Sequence, residues 1–254
     1  QWSCVTKCLN DVKNHGVGRR YLIEHSAGSG KTETISWTAH ELINLRKPDG
    51  DKVFSSVIVV TDRVGLDSNI KGTIKQLKKT PGLIEMIGGD ADTRSQGAKN
   101  KQLAEALHQR KEIIVVTLQT FPFALDAIAT DDMLTGANFA VLIDEAHSSQ
   151  TGQFAGKMKA ALKLAAKEKT KKTGEPDAGV TDEEMILAYF QKEQNDRSWP
   201  ENVSFFAYTA TPKPETKTLF GRDSEKIDQK TGRPIPESFD LYPMRQAIEE
   251  GYIL

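Results

Sequence analysis

Ser26-Ala27-Gly28-Ser29-Gly30-Lys31-Thr32 gathers glycines, a lysine and hydroxyls directly after the apolar run Tyr21-Leu22-Ile23, and a helical pattern opens at Glu33. Residues of these types bind phosphate when they lie where a strand feeds a helix. Gly28 and Gly30 let the backbone approach a polyphosphate, while their N–H groups and the helix dipole supply partial positive charge. Lys31 can reach the terminal phosphates and Thr32 can ligate magnesium, so Ala27, Gly28, Ser29, Gly30, Lys31 and Thr32 form a candidate nucleotide-binding set. The position where a P-loop usually begins with glycine holds His25 instead.

A second stretch supplies carboxylates. Phe139-Ala140-Val141-Leu142-Ile143 is a continuous apolar run that ends in Asp144-Glu145-Ala146-His147. Acids placed at the end of a buried strand can face a cation, and magnesium prefers carboxylate and phosphate oxygens. Asp144 is the candidate metal residue, acting through the ion's water shell. Glu145 is the candidate catalytic residue that orients and polarises an attacking water, alongside Lys31, because phosphoryl transfer rests on positioning and electrostatic stabilisation. Together the two motifs imply an ATPase using ATP and Mg2+. The glycine missing at position 25 is also missing in some helicase-like motors that keep a Gly-x-Gly-Lys-Thr ending, and it points to that branch.

The surrounding pattern positions these residues. Ile35, Ala39, Leu42 and Ile43 form one face of a helix after the loop, and Ser56–Thr61 is a β-branched run that reads as a buried parallel strand. Thr61 and Arg63 stand at its carboxyl end, the edge where open α/β sheets place ligands. Ile113–Thr117 is a similar strand, and Thr117, Gln119 and Thr120 after it can meet a nucleic-acid backbone or cap the following turn. Val203–Tyr208 leads into Thr209-Ala210-Thr211, where Thr209 and Thr211 are candidates for relaying nucleotide state. Leu66–Leu77 reads as a helix with a lysine stripe, residues 83–87 as a short strand, Gly88 through Asn100 as a mobile polar loop and Lys101–Arg110 as a helix. From about 156 to 200 the composition shifts to a helical surface excursion.

Composition sets the class. The 254 residues are 38% hydrophobic and 27% charged with a net charge of −1, which suits one large α/β domain and leaves any nucleic-acid surface local. No apolar run is long enough to span a membrane, no signal-peptide pattern is present, and the expected compartment is the cytoplasm. The chain reads as an excised piece of a longer protein. Cys4 and Cys8 are the only cysteines and read as reduced thiols on one helix, with no further zinc ligands at finger-like spacing. Gln1, upstream of the loop, is a candidate adenine reader.

With these motifs assembled, the chain resembles the first RecA-like motor domain of superfamily 2 helicases and translocases. Gly28–Thr32, Thr61-Asp62-Arg63, Thr117–Thr120, Asp144–His147 and Thr209-Ala210-Thr211 occur in that family's order. The fold implied is α/β, a RecA-like P-loop NTPase domain with a mostly parallel central sheet and helices on both faces. More narrowly, the stretches 25–32, 59–63, 143–150, 209–214 and 244–251 resemble the restriction subunit of type I restriction-modification enzymes. That resemblance implies an ATP-driven motor that translocates double-stranded DNA ahead of endonuclease cleavage, with modification and specificity subunits as partners. It implies a nuclease domain before this domain and a second RecA-like domain after it. It also implies a coupling role for His147, Thr209 and Thr211, DNA contacts from Thr61, Arg63, Thr117 and Gln119, and a motif III strand between those of motifs I and II. Another superfamily 2 helicase or remodeller, or a nucleotide-gated binding switch, is the alternative.

Overall fold

The computed structural model describes residues 1–61, 84–87, 95–118, 120–134, 136–144, 200–227, 229, 232 and 234–251. Arg63, Gln119, Glu145 and His147 lie outside the described residues, as do the lysine-bearing segment at 66–77 and the excursion at 156–199.

Among the described residues, seven strands form one sheet: β1 (Arg20–His25), β2 (Ser56–Thr61), β3 (Ile84–Ile87), β4 (Ile113–Thr117), β5 (Phe139–Ile143), β6 (Val203–Thr209) and β9 (Asp240–Tyr242). Their spatial order is β3-β4-β2-β5-β6-β1-β9, and every pairing is parallel. A short antiparallel pair, β7 (Arg222–Ile227) with β8 (Pro234–Glu237), stands apart from it. Strands buried on both faces read as near-continuous apolar runs, and β2, β5 and β6 are buried at every position, with Ser56, Thr61, Ser204 and Thr209 as buried polar members.

The two-residue period divides the core into halves. Leu22, Ile58, Val60, Val141 and Phe205 point into one cluster, which receives Leu103, Ala106 and Leu107 of α3 (Gln96–His108), Ala124 and Ile128 of α4 (Phe121–Thr130), and Phe220 of α5 (Pro214–Phe220). Tyr21, Ile23, Val57, Val59, Leu142 and Phe206 point the other way. They pack on Cys4, Cys8 and Val12 of α1 (Trp2–His15) and on Ile35, Ala39, Leu42 and Ile43 of α2 (Lys31–Asn44). The fold is thus the expected α/β RecA-like type, with helices on both faces. Motif III strand β6 lies between β1 and β5, as the family likeness implied.

One boundary is corrected. Residues 96–100 are helical rather than part of a mobile loop, because the Ser95 side chain accepts a hydrogen bond from the Ala98 N–H at 3.3 Å and caps the helix five residues early. The far end closes at Arg110, whose φ is +51°.

The sheet is cemented by Phe206, which stacks on Tyr21 at 4.4 Å and 4° and is fully buried. Phe206→Ala is expected to cost about 3–5 kcal/mol through lost transfer energy and an unfilled cavity. Urea denaturation checks this; a midpoint equal to wild type would show that the site collapses freely.

Candidate functional site

In an all-parallel sheet every strand ends at the same edge, so the motifs that follow β1, β2, β4, β5 and β6 converge there. Thr61 pairs with Thr117 and Glu24 with Thr209. Asp144 follows β5 directly, and its N–H donates to the Val60 carbonyl at 2.9 Å. Two strand spacings separate the ends of β1 and β5, about 10 Å. Thr32 and Asp144 are the residues that would hold a Mg2+ ion at this edge, where its charge would offset that of a bound phosphate.

The loop itself is set by two glycines in the left-handed region, Gly28 at φ +74° and Gly30 at φ +76°. Gly30 caps α2, so Lys31 occupies the first helical position and the helix N-terminus points its N–H groups into the turn. Thr34 secures the first turn: its N–H and hydroxyl both donate to the Gly30 carbonyl, at 3.0 and 2.9 Å. Lys31 Nζ folds back over the loop, donating to the His25 and Ser26 carbonyls at 3.4 and 3.3 Å. Ala27 and Gly28 are exposed, whereas Thr32 is half-buried. Ser26 Oγ and Ser29 Oγ are buried and have no hydrogen-bond partner among the described residues. Buried hydroxyls left without a partner beside a helix N-terminus fit a polyanion, and the fit to a nucleotide's phosphates rests on them together with the glycine turn.

Gln1 arrives from far off in sequence. Its Nε2 donates to the Ser29 carbonyl at 2.6 Å, and a Cβ built on Gly30 would meet that nitrogen at 2.4 Å. A side chain at position 30 would displace Gln1, so glycine there leaves room for that contact as well as meeting the φ requirement. Trp2 beside it packs edge-on to Trp37 of α2 at 6.3 Å, so α1 seats Gln1 on the loop.

The other sites separate by burial. Thr61, Thr209 and Asp144 are buried. Thr209 Oγ1 accepts from the Thr211 N–H at 3.2 Å, holding the turn after β6, while Thr211 is exposed. Thr117 Oγ1 lies 3.2 Å from Thr120 Oγ1, and the Thr120 N–H donates to the Thr117 carbonyl at 2.9 Å. These contacts join Thr117 to Thr120 ahead of α4, while the Thr120 side chain makes no capping hydrogen bond to the helix N-terminus. A buried chain also joins β6 to α2: Tyr208 donates to Thr38 Oγ1 at 2.8 Å, and Thr38 donates to the Thr34 carbonyl at 2.7 Å.

Sequence reasoning missed the surroundings of His25. The ring is fully buried, and its Nε2 lies 2.9 Å from Asp240 Oδ2 on β9, with Lys7 Nζ of α1 2.6 Å from Asp240 Oδ1. Cys4 belongs to the same cluster: a ligand atom from each of Cys4, His25 and Asp240 lies within 4.8 Å of the others. Metal-ligand types thus do gather near Cys4, contrary to the expectation from local spacing, because the partners come from distant segments. The contact with Cys8 and burial push the Cys4 thiol far up, so it stays protonated, and both Asp240 oxygens are engaged. Burial opposes the charge on Asp240, but hydrogen bonds from His25 and Lys7 outweigh it and bring its carboxyl down to about 2. Asp240 is thus engaged on both oxygens, by His25 on one and by Lys7 on the other.

A family model, that of the SWI2/SNF2 ATPases, matches residues 1–176. The chain belongs to this family. As a SWI2/SNF2 ATPase domain it is a motor domain of the helicase/ATPase class. Among solved structures, the domain is similar to the yeast DEAD-box splicing factor Prp28, at 15% identity and a TM-score of 0.43. That match covers 83% of this chain and 41% of the other, so the SWI2/SNF2 domain spans less than half the length of that structure. A search of curated proteins finds no match. None of the described helices is long and apolar enough to cross a membrane.

Proposed function

We propose that this domain is the ATP-binding motor lobe of a type I restriction endonuclease subunit, coupling ATP hydrolysis to double-stranded DNA translocation ahead of cleavage by a separate nuclease domain. The observation that carries the motor reading is the shared sheet edge, where the loop after β1, Asp144 after β5 and Thr209 at the end of β6 stand on three adjacent strands. The restriction reading is supported by the motif wording at 25–32, 143–150 and 209–214.

In this reading Lys31 and the N–H groups of Ala27–Thr32 hold the phosphates, Gln1 reads the base, and Thr32 and Asp144 hold Mg2+. The metal ion, when bound, neutralises charge on the phosphates. Glu145 orients water, and Thr209 and Thr211, with His147, relay nucleotide state. Arg63, Thr117 and Gln119 track the DNA backbone, while Thr61, fully buried at the end of β2, supports that edge rather than touching the DNA. The SWI2/SNF2 match suits a remodeller-like motor equally, and that is the second reading.

The test is ATP turnover by the parent protein with and without linear duplex DNA, followed by triplex displacement. DNA-stimulated turnover with displacement supports a duplex translocase; cleavage of unmodified DNA distinguishes restriction from remodelling. Nucleotide-dependent DNA binding without turnover would overturn the motor in favour of a switch.

A further inference from the structure

His25 replaces the small residue that ordinarily opens a phosphate loop, yet it is as buried as the core valines. It is tied down from three sides. Its backbone pairs in register with Tyr242 of β9, and the next residue, Ser26, donates its N–H to the Tyr242 carbonyl at 3.0 Å. The ring meets Asp240 through Nε2 and lies 5.5 Å from the Tyr242 ring. The His25 carbonyl accepts from Lys31 Nζ, the cation of the loop. One residue thus joins the edge strand β9, helix α1 through Lys7 and Asp240, and the phosphate-binding lysine.

We propose that the buried His25–Asp240 pair is a positioning device for the phosphate loop, holding the loop's entry and Lys31 in the nucleotide-binding geometry from strand β9. This rests on the nucleotide-binding reading above. A buried ion pair contributes little net stability against an apolar replacement, but loss of one partner leaves an uncompensated charge that the structure must relieve by moving. Here the relief would move the residue that opens the loop. The groups facing His25 are Cys4 from α1, Asp240 and Tyr242 from β9, and Lys31 from α2, with Lys7 and Cys8 one contact further out.

The pair also predicts a pH dependence. Burial disfavours the charged ring, but the hydrogen bond to Asp240, with Cys4 adding to it, outweighs burial and lifts the His25 pKa above its ordinary value. A raised pKa means the contribution is complete below the ordinary histidine range and is lost as pH rises through the folded value. Nucleotide affinity should weaken in that direction.

The experiment uses the 254-residue chain, Mg2+ and an N-methylanthraniloyl-labelled ATP, titrated by fluorescence from pH 6 to pH 9, with thermal unfolding measured in parallel. Wild type is expected to bind more weakly as pH rises. Asp240→Asn, close in shape, is expected to bind about tenfold more weakly at the acid end and to lose the pH step, whereas the ligand's own titration is common to both. A folded Asp240→Asn with wild-type affinity and an unchanged pH profile would overturn the proposal and leave the pair purely structural. If that variant does not fold, the wild-type profile decides together with Lys7→Gln, a change at a half-exposed side chain. A pH step that Lys7→Gln shifts supports the device, and a profile flat beyond the ligand's titration overturns it. Absence of binding by wild type at every pH would overturn the nucleotide reading and the proposal together, a result distinct from failure of the pair alone.

Discussion

Lys31→Ala is expected to lower ATP turnover by the protein by about 10²–10³-fold, the cost of removing one preorganised charge from a phosphoryl-transfer site. The ammonium already sits over the loop, within reach of the His25 and Ser26 carbonyls. Those weak, long contacts can be exchanged for phosphate oxygens at small cost. Alanine is the best helix former and occupies the first position of α2, so the helix and the core beneath it should survive. The measurement is steady-state hydrolysis at saturating Mg-ATP, with a melting curve to establish that the variant is folded. A folded variant that hydrolyses at the wild-type rate would remove Lys31 from the site.

Glu145→Gln is expected to separate binding from chemistry. Turnover should fall by about 10²–10⁴-fold, the usual contribution of a positioned general base, while labelled ATP and Mg2+ bind as in wild type. Asp144, the residue before it, is buried at the sheet edge and its N–H is bonded to the backbone of β2, so its backbone position should hold when its neighbour is neutralised. An amide keeps the size of the carboxylate but cannot accept a proton from water. Single-turnover hydrolysis with prebound nucleotide is the readout, and a rate near wild type would move the catalytic role elsewhere.

Motifs of this kind are legible in sequence because each is local. Gly28, Gly30, Lys31 and Thr32 lie within one turn, and their chemistry needs only a strand before them and a helix after. Apolar runs such as Val57–Val60 and Phe139–Ile143 identify the strands, since a strand covered on both faces is apolar along most of its length. The start of the helix before Lys101 is harder to read from sequence. Gln96–Asn100 has no strong apolar period, and a single capping hydroxyl on Ser95 decided where the helix began.

The sequence by itself determined the fold class, the strand edge at which the phosphate loop and Asp144 stand, and the residue types available there, because these follow from short-range periodicity and spacing. Tertiary structure alone decided what surrounds the loop. Gln1 reaches Ser29 across 28 residues and His25 reaches Asp240 across 215. The short strand β9 has no sequence signal strong enough to announce it, and it exists by pairing with β1. Pairing, burial and charge compensation between distant segments are properties of the packed chain; until β9 docks, His25 is only the residue standing where a glycine was expected.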